Sequence, residues 1–295
     1  MSIAIATPYG NIGGRITRHL LDAGEDLILL PHDASKLDEA VRDRATVRPV
    51  SLEDADGVAE ATRGADALFW LSPHGMHTPS LRGWYETLGR SATHAIRENG
   101  ISHVVNLSSQ GAHQSEGLGP VSGLARVEEL IDESDAAVVH LRPGFFMENF
   151  FAQLDAIRDA GALFFPTSPD TETAMIATRD IADVAADLLR DRSWSGRRVL
   201  GLHGPRDYTY NEAAGVLADV LDREVRVQQV PVEGVVGQFK GYGASDDWAR
   251  GMAELYSRIG DPEYYADTEP RTGETTTPTT LRAFAEQALR PALNA

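Results

Sequence analysis

Residues Ile3-Ala4-Ile5-Ala6-Thr7-Pro8-Tyr9-Gly10-Asn11-Ile12-Gly13-Gly14 decide how this chain is read. Four apolar residues run into a turn with two spaced glycines, and Ile12, Ile16, His19 and Leu20 then share one face of a helix. A strand, a glycine turn and a helix in that order bring a helix N-terminus up to the end of a strand. Such a turn lets backbone approach a pyrophosphate, because free N–H groups and the helix dipole both favour an anion. Gly10 would permit the close approach, and Gly13 would let the helix pack tightly on the sheet. The usual spacings are GxxGxxG and GxGxxG, and here Thr7 holds the first glycine position. A two-glycine turn alone is as often purely structural. Its place between a first strand and a helix is what favours binding.

Outward from this stretch, apolar runs alternate with helix-period segments, the mark of repeated βα units and a parallel sheet. Strands are expected at 3–6, 27–30, 47–50, 67–71, 103–107 and 137–141, and again near 198–202 after a helix over 179–189. Right-handed crossovers make this an α/β protein with a doubly wound parallel sheet of Rossmann type. The pattern loosens after Phe145, with a Pro-rich turn over 166–169, a helix over 211–221 and a strand over 224–229. The expected division is residues 1–144 with 176–202 as the dinucleotide-binding domain. Residues 145–175 with 203–295 form a smaller C-terminal substrate lobe, in which 272–280 is a loop, a lid or a plain connector.

Composition narrows the function. Forty-four acidic residues face 27 basic ones, for a net charge of −17, which argues against direct binding to a phosphate backbone. There is no cysteine, so thiol catalysis, disulfides and thiolate zinc sites are excluded. No run approaches the ~18 apolar residues of a membrane span, and the N-terminus reads as a strand and not as a signal peptide. A cytoplasmic location fits.

The end of the second strand reads Leu30-Pro31-His32-Asp33-Ala34-Ser35-Lys36. His32 and Lys36 would face a 2′-phosphate, which leans toward NADP, with NAD as the alternative. More widely, the chain resembles the NmrA-like branch of the atypical short-chain dehydrogenases/reductases. The resemblance is carried by the turn over 10–13, Gly64-Ala65-Asp66-Ala67-Leu68-Phe69, His103-Val104-Val105-Asn106-Leu107-Ser108-Ser109 and, most specifically, Leu141-Arg142-Pro143-Gly144-Phe145-Phe146-Met147-Glu148-Asn149. Arg179-Asp180-Ile181-Ala182, Gly204-Pro205 and Thr277-Pro278-Thr279-Thr280-Leu281 add to it.

The resemblance implies NAD(P) lying across the carboxyl ends of the strands. Thr7, Tyr9, Gly10, Asn11 and Ile12 would hold the pyrophosphate, and His32 and Lys36 would lie near the adenosine ribose. Leu71, Ser72 and Pro73 would flank the second ribose and the nicotinamide, and Pro143, Gly144 and Phe145 would border the nicotinamide and the substrate cleft. The chain departs from the family where Thr7 replaces a glycine, His32 an arginine and Ser51 an aspartate.

Ordinary short-chain reductases protonate the substrate with a Tyr whose pKa is lowered by a Lys four residues on. No Tyr occurs between Tyr85 and Tyr208, and no Lys between Lys36 and Lys240. The lone Lys that a related branch keeps before the Glu of the fifth helix is also missing from Gly123-Leu124-Ala125-Arg126-Val127-Glu128, and Arg126 cannot serve as an acid. Hydride acceptors that need little acid help fit this chain: quinones, conjugated enones, cationic dyes. His74 and His113 are the candidate proton donors, each with a plain loop histidine as the alternative. His74 and His77 at i,i+3 lack the carboxylate or thiolate partners of a metal site, so no metal is expected. Ser108 and Ser109 would bind cofactor or substrate, or cap backbone groups. Phe145, Phe146, Met147, Phe150 and Phe151 would line an apolar cleft or pack between lobes, and Tyr242, Trp248, Tyr256, Tyr264 and Tyr265 pose the same choice.

The leading expectation is therefore an NAD(P)H-dependent oxidoreductase that reduces a quinone-like or enone-like molecule, apolar and planar, without the Tyr/Lys relay. The alternative is a non-enzymatic NAD(P)-binding redox sensor acting as a homodimer or through a protein partner.

Overall fold

A computed structural model describes residues 1–261, 264 and 268–294. Seven parallel strands form one sheet: β1 (Ser2–Ala6), β2 (Asp26–Leu30), β3 (Thr46–Val47), β4 (Ala65–Leu71), β5 (His103–Leu107), β6 (Ala137–Pro143) and β10 (Arg197–Leu202). Their order is β10-β6-β5-β4-β1-β2-β3. The chain winds outward from β1 to β3 and then crosses back to β4, which pairs with β1 on its other side. Helices on the two sides of such a crossing diverge and leave a crevice at the carboxyl ends of β1 and β4.

A parallel sheet must be covered on both faces, and the alternation of side chains divides it accordingly. Ile3 and Ile5 join Ile16 and Leu20 of α1 (Gly13–Asp22) and Ile181 and Ala185 of α7 (Thr178–Arg190). Ala4 and Ala6 join Val58 of α3 (Ala55–Ala61), Leu88 and Ala92 of α4 (Leu81–Asn99) and Val127 of α5 (Pro120–Asp132). The strand expected at 47–50 is only two residues long, because Pro31, following β2, has no N–H to return to it. The pairing nevertheless continues, Arg48 N donating to Leu29 O at 2.9 Å and Val50 N to Pro31 O at 3.0 Å.

Three small strands, β7 (Phe145–Phe146), β9 (Glu172–Ile176) and β11 (Asp207–Thr209), and the parallel pair β8 (Ala162–Phe165) and β12 (Arg226–Gln229) lie outside the main sheet. With α8 (Tyr210–Leu221) and the helical segment beginning at Leu281, they enclose a third core around Phe150, Met175, Leu217 and Leu289. The rest of the tail goes elsewhere. Trp248 of α10 (Asp246–Arg258), with Phe239 of α9 (Val232–Gly241) against its ring, packs on the α4–α5 side of the main sheet. The Thr-rich stretch is a stitched connector: Thr277 N and Oγ1 both donate to His203 O, and Thr279 donates to Asp180.

One buried ion group ties these layers together. Arg142 on β6 donates Nε and Nη2 to the two oxygens of Glu128 on α5, at 3.0 and 2.6 Å, and Nη1 to Glu269 at 2.8 Å. Burial pulls the Arg142 pKa down, but the two carboxylates more than offset it and the net shift is upward. Arg142→Met leaves the buried Glu128 and the half-buried Glu269 without a cation and should lower the urea unfolding free energy by about 3–5 kcal/mol. Arg63→Ala, which breaks a pair between exposed side chains, should cost no more than about 1 kcal/mol. Equal effects of the two would contradict this account.

Candidate active site

The first turn gains its shape from two residues. Thr7 has a φ of 52°, in the left-handed region where a β-branched residue is strained. That conformation points the Thr7 carbonyl at α1, so close that a Cβ on residue 13 would lie 2.2 Å from the oxygen. Gly13 is thus required by the turn itself. Gly10 is not: a Cβ there would meet only Thr7 O, at 3.8 Å. Gly10 N donates to Thr7 O and Gly14 N to Gly10 O, closing the turn at 3.3 and 2.7 Å. Helix α1 then starts at Ile12 with no side-chain cap and no acid in its first turn. An uncapped N-terminus at the mouth of the crevice offers backbone donors and a positive dipole end to an anion. The Thr7 Oγ1 is buried and unpartnered there.

His32 is exposed at the end of β2. Lys36 Nζ stands 5.7 Å from the centre of the Tyr9 ring, so the first two turns meet at a cation and an aromatic face. Between them one oxygen of the Asp33 carboxylate is turned to Ser35: Ser35 N and Oγ donate to Oδ1 at 2.9 and 2.7 Å, and these bonds hold its pKa down.

The segment after β4 is held from several directions. Trp70 Nε1 donates to Ser72 Oγ, Trp84 Nε1 to Pro73 O, and Ser245 N to Met76 O, while His77 Nδ1 lies 2.8 Å from Gly243 O. Leu71 is half-buried at the strand end. His74 is exposed, and desolvation by the neighbouring protein pushes its imidazole pKa down. Its Nδ1 lies 3.5 Å from the hydroxyl of Tyr85, a fully buried residue of α4. Nothing in the spacing of the sequence pairs these two; the entry of the chain into α4 after Ser80 does. Among the described residues no cluster of three His, Asp or Glu side chains is arranged to hold a metal.

The two serines after β5 differ in their hydrogen bonding. Ser109 Oγ donates to Gln110 O at 3.2 Å and so stays on the backbone. The Ser108 hydroxyl is buried with no partner. His113 has one ring nitrogen 3.3 Å from Gln114 and the other buried and unpartnered. After β6, a Cβ at Gly144 would lie 2.3 Å from Ala174 O, so β9 crosses here at backbone contact, and Pro143 O accepts from Gln110 N. Phe145 stands edge-on to Phe150 and Tyr210, and Phe151 to Phe284, so much of the aromatic set is packing within the third core. Tyr264 donates its hydroxyl to Gln110 O, whereas Tyr265 lies outside the described residues.

An uncapped helix N-terminus with buried, unpartnered hydroxyls beside it, at the crevice of a doubly wound sheet, fits a dinucleotide. Residues 9–192 match the sequence profile described as NAD(P)H-binding. The chain belongs to the NAD(P)H-binding family. It is 27% identical over 289 residues to the NAD(P)H azoreductase of Xenophilus azovorans, spanning 97% of this chain and 96% of that one. Two solved structures share its fold. Triphenylmethane reductase of Citrobacter sp., complexed with NADP(H), superimposes with a TM-score of 0.80 at 19% identity over 98% of this chain and 100% of that one. The NADPH-dependent quinone oxidoreductase of Escherichia coli, complexed with NADPH, gives 0.79 at 20% identity over 97% and 99%. NmrA, a negative transcriptional regulator in complex with NAD, also has this fold, with a TM-score of 0.73 at 13% identity over 99% of this chain and 96% of that one. No helix of the described residues is long and apolar enough to cross a membrane.

The strain at the turn is measurable. Thr7→Gly relieves a left-handed β-branched residue and should raise the unfolding free energy by up to about 1 kcal/mol, since the αL penalty is partly offset by glycine entropy. Ser108→Ala, which removes a buried hydroxyl with no partner, should change it by no more than about 0.5 kcal/mol. A large loss in either variant, read by urea unfolding, would contradict the geometry described.

Proposed function

We propose that the chain is an NAD(P)H-dependent reductase of planar, conjugated small molecules of quinone-like, enone-like or dye-like character. The observation that carries the reading is that three features follow strands of one parallel sheet and so share its carboxyl edge: the uncapped α1 N-terminus, the unpartnered Ser108 hydroxyl and the imidazole of His74. An azoreductase that is similar along nearly the whole chain, and a dye reductase and a quinone oxidoreductase of the same fold, support it.

In this reading the backbone of Tyr9, Gly10, Asn11 and Ile12 binds the pyrophosphate, with Thr7 shaping the turn. His32 and Lys36 face the adenosine ribose. Ser35 takes only Oδ1 of the Asp33 carboxylate. The basic residues His32 and Lys36 favour NADPH over NADH. Ser72, Pro73 and Ser108 flank the nicotinamide from one side, and Pro143, Gly144 and Phe145 from the other. Bound NAD(P)H supplies a hydride. The protein orients the acceptor, excludes water and offers a hydrogen bond to the atom that gains charge; solvent provides the proton. Residues 145–175, with the parts of 203–295 that share the third core, are read as the lobe that closes the substrate side.

The absence of a Tyr or Lys between 86 and 207 favours a second reading, an NAD(P)-binding sensor without turnover. A panel of quinones, azo dyes and triphenylmethane dyes, followed by cofactor oxidation at 340 nm (the ordinary absorbance of reduced nicotinamide, about 6 × 10³ M⁻¹cm⁻¹), separates the two. Sustained turnover of one acceptor class is expected. Tight cofactor binding with no turnover of any acceptor would overturn the reductase reading in favour of the sensor.

A further inference from the structure

The Tyr85 side chain has a setting that packing alone does not require. It lies on α4 with no exposed surface, and its ring is pressed against α5 at Gly123, where a Cβ would come within 2.1 Å of a ring carbon. Nothing larger than glycine fits beneath that ring. The hydroxyl thereby reaches across to His74 Nδ1, at 3.5 Å. That separation is long for a finished hydrogen bond, as unliganded active sites often are, and closes with a small rotation of the imidazole. The backbone on either side of His74 is pinned by Trp84 at Pro73 and by Ser245 at Met76, so the ring is the part left free to turn.

We propose that Tyr85 is a positioning residue for His74: its phenol donates to Nδ1, so that the imidazole keeps its proton on Nε2 and presents that N–H to the cleft. This rests on the reductase reading given above. Burial keeps the phenol protonated, and the lowered pKa of His74 favours the neutral imidazole, so each group is in the form the arrangement needs. A neutral imidazole is a hydrogen-bond donor to a substrate oxygen or nitrogen and not a proton source. As hydride adds to the acceptor, the C=O or N=N π bond breaks and its electron pair moves to the distal atom. Nε2–H stabilises that charge, and a proton from water completes the reduction, leaving His74 and Tyr85 unchanged. Acceptors whose reduced anion is already stabilised, such as quinones, suit a site of this kind.

The test is made on the full chain. ¹⁵N spectra of the histidine rings at pH 7.5, with His74 identified through His74→Gln, should show His74 in the Nε2–H form. Tyr85→Phe, which keeps the ring seated and deletes one oxygen, should give a mixture of tautomers. It should also lower kcat about 5–10-fold for the loss of one such hydrogen bond, with the NAD(P)H Kd unchanged. In a His74→Gln background, whose amide N–H has no tautomer to set, adding Tyr85→Phe should have no further effect on kcat. An unchanged His74 spectrum in Tyr85→Phe, or equal kcat losses in both backgrounds, would overturn the positioning role while leaving the reductase reading standing. Failure of the wild-type chain to turn over any acceptor would instead overturn that reading.

Discussion

The carbonyl oxygen of Thr7 stands where a side chain at residue 13 would have to begin, 2.2 Å from that Cβ position. Because residue 13 has no side chain, α1 can start directly against the end of β1. Because Thr7 accepts a left-handed conformation, the turn between them is short enough to aim the helix N-terminus into the crevice. Strain at one residue and the absence of a side chain at another are thus two halves of a single constraint. Strain of this kind persists only where the surrounding structure holds it, and it clusters at ligand-binding turns. Here β1 is an interior strand, paired on both sides and covered by helices above and below.

The other walls of the crevice follow from the same sheet. Parallel strands deliver their loops to one edge, so the segments after β2, β4, β5 and β6 converge although they are far apart in sequence. The segment after β4 is fixed by two tryptophans and by the α9–α10 connection, leaving His74 as a free ring on a fixed backbone. On the face toward α5, the Glu128–Arg142–Glu269 group locks the end of β6 to α5 and to the tail. Burying two carboxylates on one arginine is tolerable because the guanidinium fork makes three good hydrogen bonds.

Much of this was legible in the sequence, for physical reasons. Apolar runs such as 3–6 and 103–107 can only be strands buried on both faces, and the glycine turn between β1 and α1 announces the crevice. The parallel order and the cofactor class follow from those signals. The short β3 was less legible, since Val47 to Val50 has the right side chains and the limit lies across the ladder, at Pro31. Gly10 and Gly13 look alike in sequence, yet one faces open space and the other a carbonyl. The role of Tyr85 was hidden because it depends on the path of the chain into α4, and Tyr85 had marked only the border of a Tyr-free stretch. The destination of α9 and α10 was equally hidden: their amphipathic pattern shows a face to bury but not which neighbour will cover it.

The central claim is that the Thr7–Gly13 turn makes a dinucleotide site, and it is tested most directly by titrating the purified chain with NADPH and with NADH. Nicotinamide fluorescence would be read for the wild type beside Gly13→Ala, with circular dichroism to verify folding. The account predicts saturable binding by the wild type, tighter for NADPH, and its loss in the folded variant, whose new methyl displaces the Thr7 carbonyl. Binding of equal strength in both proteins, or no binding by the folded wild type, would contradict it.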